Sequence, residues 1–277
     1  MRYFFLLLII GSFYFNTNAQ SIGDFTEDES ALYAETKQVN QFFRRFNGEE
    51  DVKGKRYFEK DKEFRTRKLR KKYLPILFNL NEDYLNNPLK EEFIELVNDK
   101  KNPIYLNFHG NSWLAELKTI FYYKGEEKEL MIFLKLQKEK VGSKWIISKI
   151  YFEPFTQELV SPDTSVFNDK KFLHPLSHEI GFMNIFRVFN DSDSLEYYTN
   201  SSFKPDYLSL FLYEVKQGNL KFKTVSDLKF HFFQIDGWYF KLEYYNRAGY
   251  NTGWLISNLL KIKPEEEKIL KQYIYNE

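Results

Sequence analysis

Two short patterns occur twice in this chain in the same order, and nothing else in it restricts the fold as strongly. Phe43-Arg44-Arg45-Phe46-Asn47 recurs as Phe186-Arg187-Val188-Phe189-Asn190, and Trp145-Ile146-Ile147-Ser148-Lys149-Ile150 recurs as Trp254-Leu255-Ile256-Ser257-Asn258-Leu259. Phenylalanines three apart suit one face of a helix, and an apolar run opened by Trp suits a strand. A duplicated α+β unit is the simplest source of both pairs. With 277 residues the chain has room for two such units.

Residues 1–19 read as a signal peptide: Arg2 gives a positive start, Phe4 to Ile10 an apolar stretch, and Thr17-Asn18-Ala19 a small-residue cleavage site. The sequence contains no cysteine, which excludes disulfides, thiolate metal sites and cysteine nucleophiles. No later run has the ~18 apolar residues that a membrane helix requires. A soluble exported product, periplasmic or extracellular, is therefore expected. Lys and Arg total 40 and Asp and Glu 39, so loss of Arg2 with the signal leaves a balanced chain and argues against nucleic acid as partner. One segment departs from this balance: residues 53–72 carry eleven basic side chains against three acidic ones.

The order of elements can be read from punctuation and periodicity. Leu32 to Phe46 has helical spacing and stops at Asn47-Gly48, and Asn87-Pro88 opens a second helix. Strands are expected at Ile104 to Phe108, Trp113 to Tyr123, Leu130 to Lys138 and Lys144 to Phe152, with Gly-containing turns between them. After a linker at 157–171 the order repeats: helices at Leu176 to Phe189 and Pro205 to Gln217, then strands at Leu220 to Lys223, Leu228 to Ile235, Trp238 to Tyr245 and Gly253 to Lys261. The expected architecture is α+β, with two tandem modules at 30–156 and 172–262, each with N-terminal helices on a bent antiparallel sheet of about four to six strands. A short terminal helix follows at 264–277. The first module is longer than the second, mostly through its basic insertion 53–72.

Helix, variable connection, helix and antiparallel meander is an order that resembles the cone-shaped nuclear transport factor 2-like superfamily, twice over. The resemblance rests on element order and the repeated Phe and Trp patterns. It implies a cavity between helices and concave sheet, used by some members for lyase, isomerase or cyclase chemistry and by others for binding alone.

Candidates for chemistry are few. His231 sits on an expected strand with Phe230 and Phe232 facing the other way, and Glu116 and Glu243 also fall within strands; a carboxylate or imidazole in an apolar cavity is suited to acid–base work. His109 falls at a turn. His174 and His178 are four apart, but Pro175 between them disfavours a shared helical face, so no metal site and no cofactor are expected. Trp145 and Trp254 either stack on ligands or plug the core. Arg65, Arg67, Lys68, Arg70, Lys71 and Lys72 either contact an acidic glycan or lipid or form a solvated face. GxSxG, HExxH and phosphate-binding glycine loops are absent. The expectation is an exported, non-enzymatic binding or scaffolding protein of a bacterial envelope, partnered by an envelope protein, lipid or glycan. The alternative is a lyase, isomerase or cyclase acting on a small apolar substrate.

Overall fold

Six strands form one antiparallel sheet. The computed structural model describes residues 39–51, 53–82, 88–140, 142–159, 185–190, 192–200, 202–248 and 251–275. Its elements are α1 (Val39–Asn47), α2 (Arg67–Tyr73), α3 (Pro88–Val97), β1 (Trp113–Tyr123), β2 (Glu126–Glu139), β3 (Gly142–Tyr151), α4 (Glu153–Glu158), α5 (Ile185–Asn190), α6 (Tyr207–Gln217), β4 (Leu220–Ile235), β5 (Trp238–Tyr245), β6 (Gly253–Lys261) and α7 (Pro264–Tyr275). Short 3-10 turns lie at Leu74–Leu77 and Ser192–Tyr198. The signal peptide, the leader to residue 38, most of the expected linker, and His174 and His178 lie outside the described residues.

Local chemistry sets the ends of these elements. Asp206 caps α6 by accepting from Leu208 N and Ser209 N, and Gly218 at φ 76° closes it, a left-handed position that costs glycine little. Thr66 Oγ1 caps α2 through Leu69 N. Lys124 and Gly125, at φ 52° and 86°, make the two-residue turn between β1 and β2, matching the twist of the strands they join.

The strand order is β3-β2-β1-β4-β5-β6. Strands β1–β3 and β4–β6 each form a three-stranded meander, and antiparallel pairing of β1 with β4, from Trp113↔Phe232 to Tyr123↔Leu220, joins the two. The α+β class holds, but the sheet is single where two were expected. Two strand assignments also change. Ile104 to Phe108 is extended without being a strand, because its main chain is held by helix ends: Ile104 N donates to Val97 O, and the buried Asn47 side chain bonds both ways with the Leu106 main chain at 2.8 and 2.9 Å. Leu220–Lys223 and Leu228–Ile235 are one strand, since two register shifts against β1 absorb the residues between them and erase the alternation that marks a continuous strand.

The helices cross over. On the inner face of the sheet, Phe42, Phe43 and Phe46 of α1 and Phe93 of α3 pack on Phe232, Phe240 and Ile256 from the strands of the second repeat. Phe211 of α6, from the second repeat, packs on Phe121, Ile132 and Ile150 of the first. Segment 78–79 follows the same rule, with Asn79 N donating to Ile256 O at 2.9 Å. Burying each such Phe contributes about 1.5–3 kcal/mol, so these crossed contacts help to hold the two halves together. The outer face is covered in part by α7, whose Ile274 and Leu270 lie against Leu114, Phe133, Phe233 and Tyr239.

The sheet bends strongly around its inner face. Trp145 on β3 and Phe230 on β4 have ring centroids 6.3 Å apart, although three strand spacings would hold them about 14 Å apart in a flat sheet.

Candidate functional site

The concave face, where a ligand cavity was expected, is filled with rings. Phe232 and Phe240 stack at 4.6 Å and 5°, Phe46 lies over Phe240 at 6.4 Å and 9°, and Phe93 meets Phe240 edge-on at 5.8 Å. Phe46, Phe93, Phe232 and Phe240 are all fully buried. The repeated tryptophans flank this plug. Phe230 lies between them, 6.3 Å from Trp145 and 4.8 Å from Trp254, and Trp145 is 39% exposed while Trp254 is half-buried.

The three candidate acid–base residues share the outer face. His231 is buried, with Nε2 3.0 Å from Glu116 Oε2 and Nδ1 2.8 Å from Tyr239 Oη. One tautomer satisfies both contacts: Nε2–H donates to the carboxylate and Nδ1 accepts from the phenol. The hydrogen bond from His231 holds the Glu116 carboxyl below its ordinary range, against the opposing effect of burial, with Lys229 and Lys241 adding smaller attractions. Burial, reinforced by Glu116 and Glu243, pushes the Tyr239 hydroxyl well above its ordinary value. Glu243 belongs to a neighbouring set: Lys241 at 3.0 Å, Lys229 at 3.7 Å and the Tyr245 hydroxyl donating at 3.2 Å. Burial first, then Glu243, pushes Tyr245 up to about 12.

An open groove adjoins this second set. β4 has 16 residues and β5 eight, and their pairing runs only from Lys229↔Glu243 to Ile235↔Trp238, so the strands part below Lys229. The fork encloses a groove of about 640 Å³ lined by residues 225–229 of β4, by Glu243, Tyr244 and Tyr245 of β5, and by Trp254 of β6. Tyr244 meets Trp254 edge to face at 5.3 Å. Lys229 bridges Asp227 at 3.1 Å and Glu243, so the floor alternates charge beside two aromatic rings. Such a mixture grips a ligand with both apolar and polar faces. Of the tryptophans singled out by the repeat, Trp254 is in this groove and Trp145 is at the far side of Phe230.

The basic segment divides into structural and exposed parts. Arg70 is 1% exposed, and its guanidinium donates to Phe46 O at 3.0 Å, Val97 O at 2.8 Å and Ile104 O at 2.7 Å. It thereby closes the carbonyl ends of α1 and α3, where the helix dipoles are negative. Burial lowers its pKa to about 10, which leaves it charged at neutral pH. Arg65 pairs with Glu49 at 2.6 Å, and Arg67 Nε donates to Asn98 O at 3.1 Å. Lys68, Lys71 and Lys72 are exposed along α2. His109 is exposed, with Nδ1 3.2 Å from Ser143 Oγ. Among the described residues no three His, Asp or Glu side chains converge as metal ligands. No described helix is long and apolar enough to cross a membrane.

Sequence parity set His231 opposite Phe230 and Phe232 and Glu243 opposite Leu242 and Tyr244 but left the face of Glu116 open, and only the pairing of β1 with β4 brings His231 to Glu116. Tyr239 was missed; its signal is the second position after the Asp236-Gly237 turn, on the strand that returns beside His231. The groove residues Asp227, Lys229, Tyr244 and Tyr245 carry no local signal, because the groove exists through unequal strand lengths. Comparison of the chain with protein-family models, curated proteins and solved structures finds no match.

Proposed function

We propose that this chain is an exported, non-enzymatic binding or scaffolding protein of a bacterial envelope, and that the groove between β4 and β5 is its ligand site. The observation that carries the proposal is the ring plug: Phe46, Phe93, Phe232 and Phe240 occupy the concave space that a cavity enzyme keeps for its substrate. The acid–base trio Glu116, His231 and Tyr239 faces the other way, with both ring nitrogens of His231 engaged by its two partners. The open space left nearby is the groove, with Trp254 and Tyr244 as an aromatic wall over Lys229, Asp227 and Glu243. The same proposal takes the two halves as copies of a nuclear transport factor 2-like unit, fused through β1 and β4 and exchanging helices.

The test is retention of envelope glycans, lipids and proteins by the mature chain, compared with a Tyr244→Ala/Trp254→Ala variant of unchanged circular dichroism. Selective loss of one retained species in the variant is expected; identical retention by both removes the groove as the site. The alternative, a lyase or isomerase, draws on the Glu116–His231–Tyr239 hydrogen-bond chain. It requires a turnover that disappears in His231→Gln and survives in the groove variant.

A further inference from the structure

One edge of β4 is open where β5 has left it. β1 pairs with β4 down to Leu220, so residues 220–228 have a neighbour on that side, while among the described residues no strand pairs with their other side. Residues 221–226 are exposed, including Phe222 at 59% and Val225 at 44%. Nine residues of strand present about 30 Å of main-chain donors and acceptors. Such an edge recruits another strand unless it is blunted, and lysines and bulges are the usual means of blunting it. Lys221, Lys223 and the two register shifts against β1 are present here.

The pattern of charges on this edge is complementary to itself. We propose that it pairs, antiparallel, with the same edge of a second copy of this chain about a two-fold axis at Thr224. In that register Lys221 stands opposite the second copy's Asp227, Asp227 opposite its Lys221, and Leu220 opposite its Leu228. The faces agree as well. Lys221 and Asp227 pair with Tyr122 and Lys118 of β1, which point to the outer face, whereas Leu220 and Leu228 pair with Tyr123 and Leu117, which point inward. A two-fold axis perpendicular to the sheet keeps each pair on one face, the condition for an isologous contact. Lys221 has no acidic partner among the described residues, and Asp227 can turn to it because Lys229 retains Glu243. A lysine that repels a neutral strand is thus neutralised, twice, by a second copy. The inference goes beyond the binding reading and stands on the edge alone.

Sedimentation of the mature chain over a wide concentration range tests it. A dimer is expected, and Lys221→Asp or Asp227→Lys alone should each weaken it by tenfold or more, because each creates two like-charged pairs. Mixing the two single variants should restore association as a heterodimer, since every cross-strand pair then has opposite charge; restoration also shows that both variants are folded. The milder Lys221→Gln and Asp227→Asn should weaken association to a smaller degree, and they serve if a reversal fails to fold. A chain that stays monomeric throughout overturns the proposal. So does a dimer indifferent to both reversals, or a mixture that does not associate. A monomer whose Lys221–Leu228 amides become protected from exchange by peptides of a random-sequence library assigns the edge to another protein instead.

Discussion

Arg70 donates its Nε–H to the carbonyl of Phe46 at 3.0 Å, and so ties the basic segment to the last turn of the repeat's own helix. Two further carbonyls, of Val97 and Ile104, close around the same guanidinium. Arg70→Met should leave three carbonyls without a donor and cost at least about 3 kcal/mol. Arg70→Lys should recover part of this, since an ammonium supplies donors without the planar fork. Urea unfolding of both variants provides the check. Gly48 is bound to the same site: at φ 74° it has no room for a side chain, a Cβ there lying 2.8 Å from Arg70 Cγ. Gly48→Ala should therefore also destabilise, by about 1–2 kcal/mol.

Glu116 should contribute to acid sensitivity. Its pKa in the folded chain lies below the ordinary value of 4.5, first because His231 donates to it. A depressed carboxylate stabilises the fold above its unfolded pKa, and that contribution is lost as pH falls through the lower folded value. The wild-type chain should thus lose stability between about pH 5 and pH 3 more steeply than Glu116→Gln. Denaturation midpoints measured across that range give the comparison; parallel curves would refute the coupling.

Tyr245 should titrate late. Its hydroxyl, half-buried and beside Glu243, is pushed up to about 12, so its contribution to stability is complete below the unfolded value of 10 and is lost as pH rises through 12. Difference absorbance of the phenolate should show Glu243→Gln moving this titration downward.

Phe230 should report on both tryptophans of the repeat at once. Phe230→Ala removes a ring within 6.3 Å of Trp145 and 4.8 Å of Trp254 and should cost about 3–5 kcal/mol. Emission of Trp145→Phe and Trp254→Phe variants, each with and without the Phe230 change, should show that both indoles sense it.

Asn251 should act as a clasp between distant parts of the chain. Its side chain donates to Ile76 O at 3.0 Å and Phe78 O at 2.7 Å and accepts from Leu80 N at 3.1 Å, while Arg247 Nη2 reaches Asn79 Oδ1 at 2.8 Å. Asn251→Ala should destabilise by about 2–3 kcal/mol and raise amide exchange at residues 78–80 ahead of the rest of the sheet.

What the sequence makes legible is what short-range chemistry decides. Pro88 and Pro264 open helices, Gly218 ends one, and Lys124-Gly125 and Asp236-Gly237 turn hairpins where their conformations demand it. Alternation set His231 apart from Phe230 and Phe232 and Glu243 apart from Leu242 and Tyr244, but it left the face of Glu116 open. Partnership between strands is a different matter. Nothing local to Leu114 or His231 states that they pair, so the merging of two meanders into one sheet was not visible, nor was the hydrogen bond from His231 to Glu116 that depends on it. Arg70 was hidden for a similar reason: as one of eleven basic residues in its segment it reads as solvated, and only the convergence of two helix ends gives it an interior place.

The crossing of helices has a consequence in time. Phe42, Phe46 and Phe93 leave the ribosome early, but Ile256 and Leu259, which complete their core, belong to the last strand made. The first half of the nascent chain must carry an uncovered aromatic surface until synthesis is nearly over, which ties folding to contacts of long sequence separation and favours a slow, late closure. A truncation before Gly253 would therefore deprive the earliest helices of their floor as well as removing the final strand.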